Sequence, residues 1–162
     1  MKVLFILRHA KSSWKDISLP DHDRPLNKRG KEEAPLMGKL IRDEDLMPNL
    51  ILSSTAKRAH ATVELVIEES GYEGKVKYYR DLYAAEPEAF IRALTGLSDD
   101  YERVMVVGHN PGLEQLLEVL TGENQPLPTA ALAEVQLPIQ NWADLSEDTE
   151  GKVTNIWRPK EI

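Results

Sequence analysis

Two uninterrupted apolar stretches end in the same way, and they constrain the fold more than any other feature of the chain. Residues 2–7 read KVLFIL and run straight into Arg8 and His9, while residues 103–108 read RVMVVG and run into His109. A strand with one wet face alternates apolar and polar residues. A continuous apolar run is the pattern of a strand covered on both faces, as in a parallel sheet between helices. Parallel neighbours require crossover connections, usually helical.

The intervening sequence supplies them. A helix is predicted over 26–46, with Asn27 as N-cap and with Pro35 forcing a kink or a late start. Residues 49–54 (NLILSS) read as a short strand. Residues 55–70 read as a helix capped by Thr55 and closed by Gly71. A weaker strand follows at 75–79, then a helix over 86–97 with Pro87 in its first turn. After the second buried strand a helix is predicted over 110–122, with Asn110 as cap and Pro111 at the first helical position. Residues 131–139 and 151–157 read as strands, with loops at 123–129 and 141–151. This order predicts an α/β fold, a three-layer α/β/α sandwich around a mostly parallel central sheet. A length of 162 residues predicts one domain.

Composition excludes several classes of function. The chain has no cysteine, so it has no disulfide, thiolate nucleophile or zinc-thiolate site. No apolar run approaches the ~18 residues of a membrane span, and no basic segment precedes a long apolar one as in a secretory signal. The expectation is a cytoplasmic protein with no membrane partner. The net charge of −7 argues against general nucleic-acid binding. That charge is unevenly spread. Residues 1–60 hold 12 Lys+Arg against 8 Asp+Glu, and the remainder holds 8 against 19. A local cationic site on an acidic protein suits a small anion.

The polar residues at the strand ends identify that site. Ligands of open α/β sheets bind beyond the carboxyl ends of the strands, where His9 and His109 both fall. Arg58 lies in the first turn of the helix that leaves the same rim, and Arg24 precedes another helix. Arg8, His9, Arg24, Arg58 and His109 are therefore expected to converge beside helix N-termini that favour anions. Arginines bind phosphoryl oxygens bidentately and stay charged. A neutral imidazole among them can attack phosphorus, because neighbouring cations keep its pKa from rising. The second histidine, held protonated by the phosphate it faces, would stabilise the same oxygens.

In these residues the chain resembles the histidine phosphatase superfamily, the phosphoglycerate mutase-like fold. LRHAKS is similar to its RHG/RHA signature, LSSTAKRAHAT to the segment carrying the second arginine, and VVGHNPGLEQL to the segment carrying the second histidine. DRPLNKRG and HNPGLE look most like the SixA-type phosphohistidine phosphatase branch. The resemblance implies His9 as nucleophile, with Arg8, Arg58 and His109 completing the phosphate pocket. It places Arg24 on the substrate and the backbone N–H of Asn110 beside it. No cofactor is expected. A di-histidine metal site lacks a carboxylate at the right spacing, so none is expected there. The chain departs from larger members in the loop AKSSWKD and in lacking a recognisable motif for their acidic residue. Glu86 and Asp81 fall in the corresponding interval and are the two candidate general acids.

Other polar residues have plainer readings. Arg24 could pair with Asp21 or Asp23 at the surface. His60 reads as packed or exposed, His22 as a loop residue, and Glu86 as a first-turn acid favoured by the helix dipole. Lys11, Ser12 and Trp14 lie near the rim, while Trp142 and Trp157 read as packing. Three functions remain open: a phosphatase acting on phosphohistidine in a protein, a phosphatase of small phosphate esters or anhydrides, and a non-catalytic phosphate-binding module. The last is disfavoured because His9 is intact.

Overall fold

The fold is given by a computed structural model that describes residues 1–162. Six strands form one sheet: β1 (Lys2–Arg8), β2 (Leu50–Ser54), β3 (Lys75–Tyr79), β4 (Arg103–Gly108), β5 (Leu132–Leu137) and β6 (Lys152–Trp157), in the order β3-β2-β4-β1-β5-β6. The first four are mutually parallel where they pair. β5 runs antiparallel to β1, and β6 antiparallel to β5. The expected mostly parallel sheet is present.

The apolar runs are central for the predicted reason. Successive side chains of a strand point to opposite faces, so each run must be covered twice. Leu4, Ile6, Leu50, Leu52, Val104 and Val106 share one core with residues of α3 (Pro87–Thr95) and α4 (Gly112–Thr121). Phe5, Leu7, Ile51, Met105 and Val107 share the other with α1 (Lys28–Asp43) and α2 (Lys57–Ser70). Each fully buried side chain of this kind is worth about 1.5–3 kcal/mol. Trp142 closes the first core, fully buried, its indole N–H donating to the Tyr101 carbonyl at 2.6 Å. Trp157 packs partly buried against the second. The edge strand β3 alternates half-buried and exposed residues, which is why it reads weakly. No helix is long and apolar enough to cross a membrane.

The structure corrects three helix starts. α1 begins at Lys28, capped by the Asn27 side chain on Gly30 N at 2.9 Å, and runs through Pro35. The late start therefore does not occur. α2 begins at Lys57 and Thr55 is not its cap; the Thr55 hydroxyl is spent on His22 Nε2 at 2.8 Å. α4 begins at Gly112, with Pro111 one residue before it and a cis peptide between Asn110 and Pro111. Asn110 still accepts from Glu114 N at 3.3 Å, but its amide also donates to the Leu127 carbonyl at 2.9 Å. Gly71 ends α2 in the left-handed region at φ 77°, as expected. Gly30 seats α1 against the loop after β1, where any side chain would collide with the Lys11 backbone.

Candidate active site

Register places the two histidines. β1 and β4 are parallel neighbours with Leu7 opposite Val107 and Arg8 opposite Gly108. The next residue on each strand is therefore a histidine at the carboxyl rim, and the rings lie 4.9 Å apart between centroids. Both residues are buried, each only 7% exposed. They line a cavity of about 230 Å³ with Arg8, Arg24, Arg58 and Asn110. Lys11, Ser12, Trp14 and Thr129 complete its walls.

His9 is held in one orientation. Its Nδ1 lies 2.7 Å from the Ala10 carbonyl, which can only accept, so Nδ1 carries the hydrogen and Nε2 keeps a lone pair. The peptide N–H of Ala10 donates to Thr62 Oγ1 at 2.9 Å, and that hydroxyl donates to the Arg58 carbonyl at 2.7 Å. The histidine turn is thus tied to the helix that carries Arg58. Burial lowers the His9 pKa to about 3, against the opposing Ala10 bond, with His109, Arg58 and Arg8 adding to the drop. The ring is neutral at neutral pH.

The arginines are fixed but not exhausted. Arg8 donates from Nη1 to the Leu127 carbonyl at 3.0 Å, and its Nε is buried without a partner. Arg24 is buried, donating to Ser13 O at 3.1 Å, Asp21 Oδ1 at 3.0 Å and Ser12 Oγ at 2.6 Å. Trp14 lies over its guanidinium, 3.2 Å from carbon to ring centroid. Arg58 gives one terminal nitrogen to Asp21 O at 2.7 Å and the other to Asp21 Oδ2 at 2.9 Å. A guanidinium has five N–H donors. Each arginine therefore keeps hydrogens for an oxyanion.

His109 has a different environment. Its Nε2 is 2.8 Å from Ser54 Oγ, and its Nδ1 is buried without a partner. Ser54 Oγ already accepts from Ala56 N at 3.1 Å, so its own hydrogen is available to His109 Nε2. Burial, and then Arg58, lower the His109 pKa to about 4. On its own the second histidine is consequently neutral; the protonated form expected from the sequence is that of a ring facing a phosphate. The backbone N–H of Asn110 makes no bond within the chain.

Asp21 and Tyr83 are the residues that sequence reasoning missed. Asp21 lies in a short 3-10 turn, Asp21–Asp23. Besides both arginines, its carboxylate accepts the Tyr83 hydroxyl at 2.6 Å. The Tyr83 bond, then Arg58 and Arg24, hold its pKa well below the usual carboxylate range despite some opposing desolvation. Tyr83 in turn meets the His109 ring edge-on at 5.5 Å and the His22 ring at 4.8 Å. The signal in the sequence is DHDR, with three residues from acid to arginine, a spacing that by itself implies no more than a surface pair. The pair exists, but with Arg24 buried against the pocket.

The candidate acids are not brought in. Glu86 is an exposed residue at the start of α3. Asp81 is exposed in a separate groove with Tyr79, Leu82 and Arg92. Neither lines the histidine cavity. His60 is exposed, 3.5 Å from Glu64.

A cavity of two neutral imidazoles and three buried or half-buried arginines is built to take a tetrahedral oxyanion, and known proteins carry the same arrangement of segments. The family model for histidine phosphatase superfamily (branch 1) matches residues 4–83. A solved chain from Agrobacterium tumefaciens, provisionally assigned as phosphohistidine phosphatase SixA, superposes with TM-score 0.84 at 28% identity, covering 98% of each chain. The protein histidine phosphatase SixA complexed with tungstate gives TM-score 0.83 at 24% identity, again covering 98% of each chain. A mycobacterial glucosyl-3-phosphoglycerate phosphatase gives TM-score 0.72 at 14% identity, covering 98% of this chain and 99% of its own; at that identity the likeness is one of fold. The chain belongs to the histidine phosphatase superfamily and has its phosphoglycerate mutase-like α/β fold.

Proposed function

We propose that the protein is a phosphatase that works through a phosphohistidine on His9, and that it removes phosphate from histidine in a protein. One observation carries the reading. His9 is a neutral imidazole whose Nδ1–H is fixed on Ala10 O, leaving Nε2 as the only free lone pair of the ring.

In this reading Nε2 attacks phosphorus, the bond from phosphorus to the leaving nitrogen breaks, and the phosphoryl group rests on His9. Arg8, Arg24, Arg58 and the Asn110 N–H hold the three non-bridging oxygens through the step. A phosphoryl dianion beside His109 raises that ring's pKa, so a proton is taken up as substrate binds. Water then breaks the phosphorus–His9 bond, and phosphate leaves. The arginines supply the positive charge that a magnesium ion would bring, so turnover needs no metal. Asp21 acts on Arg58 and Arg24 as a positioning residue.

Leaving-group chemistry supports the nitrogen substrate. An alkoxide departs badly without a proton from a placed acid. Imidazole, whose conjugate acid has a pKa near ~6.5, departs more easily: with a proton on the second nitrogen of the substrate ring it leaves as the neutral molecule. No carboxylate lines the cavity. Two stand behind its wall: Asp21 is held ionised by its three partners, and Glu114 Oε2 is taken up by Asn110 Nδ2 and Leu127 N, each at 2.8 Å. The shared fold with a sugar-phosphate phosphatase keeps small esters as the competing reading. The test is turnover of the pure protein on a phosphohistidine peptide, a phosphoserine peptide, a sugar phosphate and a nucleotide. The proposal requires the phosphohistidine peptide to lead by at least tenfold in kcat/KM. A sugar phosphate turned over as fast would replace it.

A further inference from the structure

Beside the catalytic cavity lies a larger groove, of about 1020 Å³, lined by Lys15, Lys28, Arg29 and Lys31 with Glu32 as its single carboxylate. The wall between the two is one extended ribbon. Residues around Ser12 pair antiparallel with residues around Leu26, with Ser13 N on Pro25 O at 2.8 Å and Asn27 N on Lys11 O at 2.9 Å. Side chains of an extended segment alternate. Ser12 and Trp14 accordingly face the catalytic cavity, and Ser13 and Lys15 face the groove. A second link is Arg29, which lines the groove and donates at 3.2 Å to Thr129, a residue of the cavity wall.

The three lysines make no ion pair within the molecule: all seven ion pairs are made by arginines or histidines. Arg29 alone of the groove has a partner, Glu33 at 3.3 Å. The remaining cations line one concavity on a protein of net charge −7, which is an arrangement for attracting local negative charge. Two exposed apolar side chains stand close by in the chain, neither of them lining the groove itself. Trp14 is 68% and Ile17 93% exposed, and both lie on the loop that carries Lys15. Exposed aromatic and aliphatic residues beside a charged rim are the usual composition of a protein-binding site.

We propose that this groove docks an acidic protein segment flanking the phosphorylated histidine, with Lys15, Lys28 and Lys31 meeting its carboxylates and Trp14 and Ile17 its apolar residues. The proposal rests on the phosphohistidine reading and adds to it the charge of the partner. A long nucleic acid is opposed by the net charge of the rest of the protein, whereas a short acidic segment meets only the groove.

The test uses short phosphohistidine peptides made with phosphoramidate, identical except for acidic, neutral or basic flanks, together with free phosphohistidine. The acidic peptide should exceed the neutral one in kcat/KM by roughly tenfold at low ionic strength. That advantage should shrink toward parity at about 0.5 M salt. The triple variant Lys15→Glu/Lys28→Glu/Lys31→Glu should reverse the order of flanks and leave free phosphohistidine unchanged, since all three side chains are exposed. Ile17→Asp should raise KM for the acidic and neutral peptides and leave free phosphohistidine unchanged. Equal rates whatever the flanks, or a preference that survives both salt and charge reversal, would overturn the docking surface while the phosphohistidine reading stands. Stronger inhibition by a single-stranded oligonucleotide than by an acidic peptide of equal charge would assign the groove to nucleic acid instead. If no peptide is hydrolysed while a sugar phosphate is, the functional reading falls and the docking proposal with it.

Discussion

Asp21 takes both terminal nitrogens of Arg58, one on its backbone oxygen at 2.7 Å and the other on its carboxylate at 2.9 Å. The same carboxylate holds Arg24 at 3.0 Å, so one anion sets the relative position of two cations of the cavity. It has two opposing effects. It fixes the guanidinium planes, and it places negative charge near an incoming phosphoryl group.

Removing that charge should separate binding from turnover. In Asp21→Asn the repulsion is lost, so inorganic phosphate should bind at least as tightly as before. The arginines are less firmly placed, so kcat should fall, by roughly 10–100-fold. Asp21→Glu should restore part of kcat. Product-inhibition constants and kcat on one substrate measure both quantities. An unchanged kcat in Asp21→Asn would remove the positioning role.

Burial of two uncharged imidazoles makes stability depend on pH. The folded-state pKa values of His9 and His109 are lowered to about 3 and about 4, against about 6.5 in an unfolded chain. Between those limits the unfolded state binds more protons. Stability should therefore be fully present above pH ~6.5 and fall as pH drops toward ~4. Asp21, whose pKa is also depressed, adds to the loss below pH ~4. Thermal unfolding of the anion-free protein across this range is one check. NMR titration is the other, with neither His9 nor His109 changing charge between pH 5.5 and 8. Titration of either near 6.5 would show that the pocket is wetter than its burial implies.

Much of this was legible in the sequence because it depends on strand ends. Once KVLFIL and RVMVVG are read as adjacent buried strands, parallel register carries His9 and His109 to one rim without further information. Arg58 follows from the helix that leaves the same edge. Asp21 was not legible, because its contacts to Arg58 and Tyr83 span 37 and 62 residues and no local pattern encodes them. The start of α2 was misread for a similar reason: Thr55 has the right side chain for a cap, but a distant histidine claims it. Glu86 and Asp81 were candidates by interval alone, and interval says nothing about which face of a loop meets the cavity.

Anion binding should be coupled to proton uptake. His109 is neutral without a ligand and should gain a proton when an oxyanion sits beside it. Calorimetric titration with vanadate or phosphate in buffers of different ionisation enthalpy should show net uptake near pH 7. The bound anion should also raise stability by about 2.7 kcal/mol at a hundred times its dissociation constant. Turnover should persist in excess chelator. Binding with no proton uptake would leave His109 neutral in the complex and assign charge stabilisation to the arginines alone.

The leaving group should need no help from Glu86 or Asp81. Glu86→Gln and Asp81→Asn should scarcely change hydrolysis of a phosphoramidate, an aryl phosphate or an alkyl phosphate, the last being slow already in the unmodified protein. If one of them is the acid, its loss should slow alkyl phosphates by roughly 10²–10⁴-fold and aryl phosphates least. That outcome would require the loop after β3 to reach the cavity when substrate is bound.

The central claim is that phosphate passes through His9 Nε2. Rapid quenching of the protein with phosphorus-labelled phosphohistidine peptide, under base to preserve a phosphoramidate, followed by peptide mapping, tests it directly. The label should be acid-labile, base-stable and located on His9, and it should vanish in a folded His9→Ala protein that no longer turns over. Label on His109 or any other residue, or continued turnover by His9→Ala, would contradict the account.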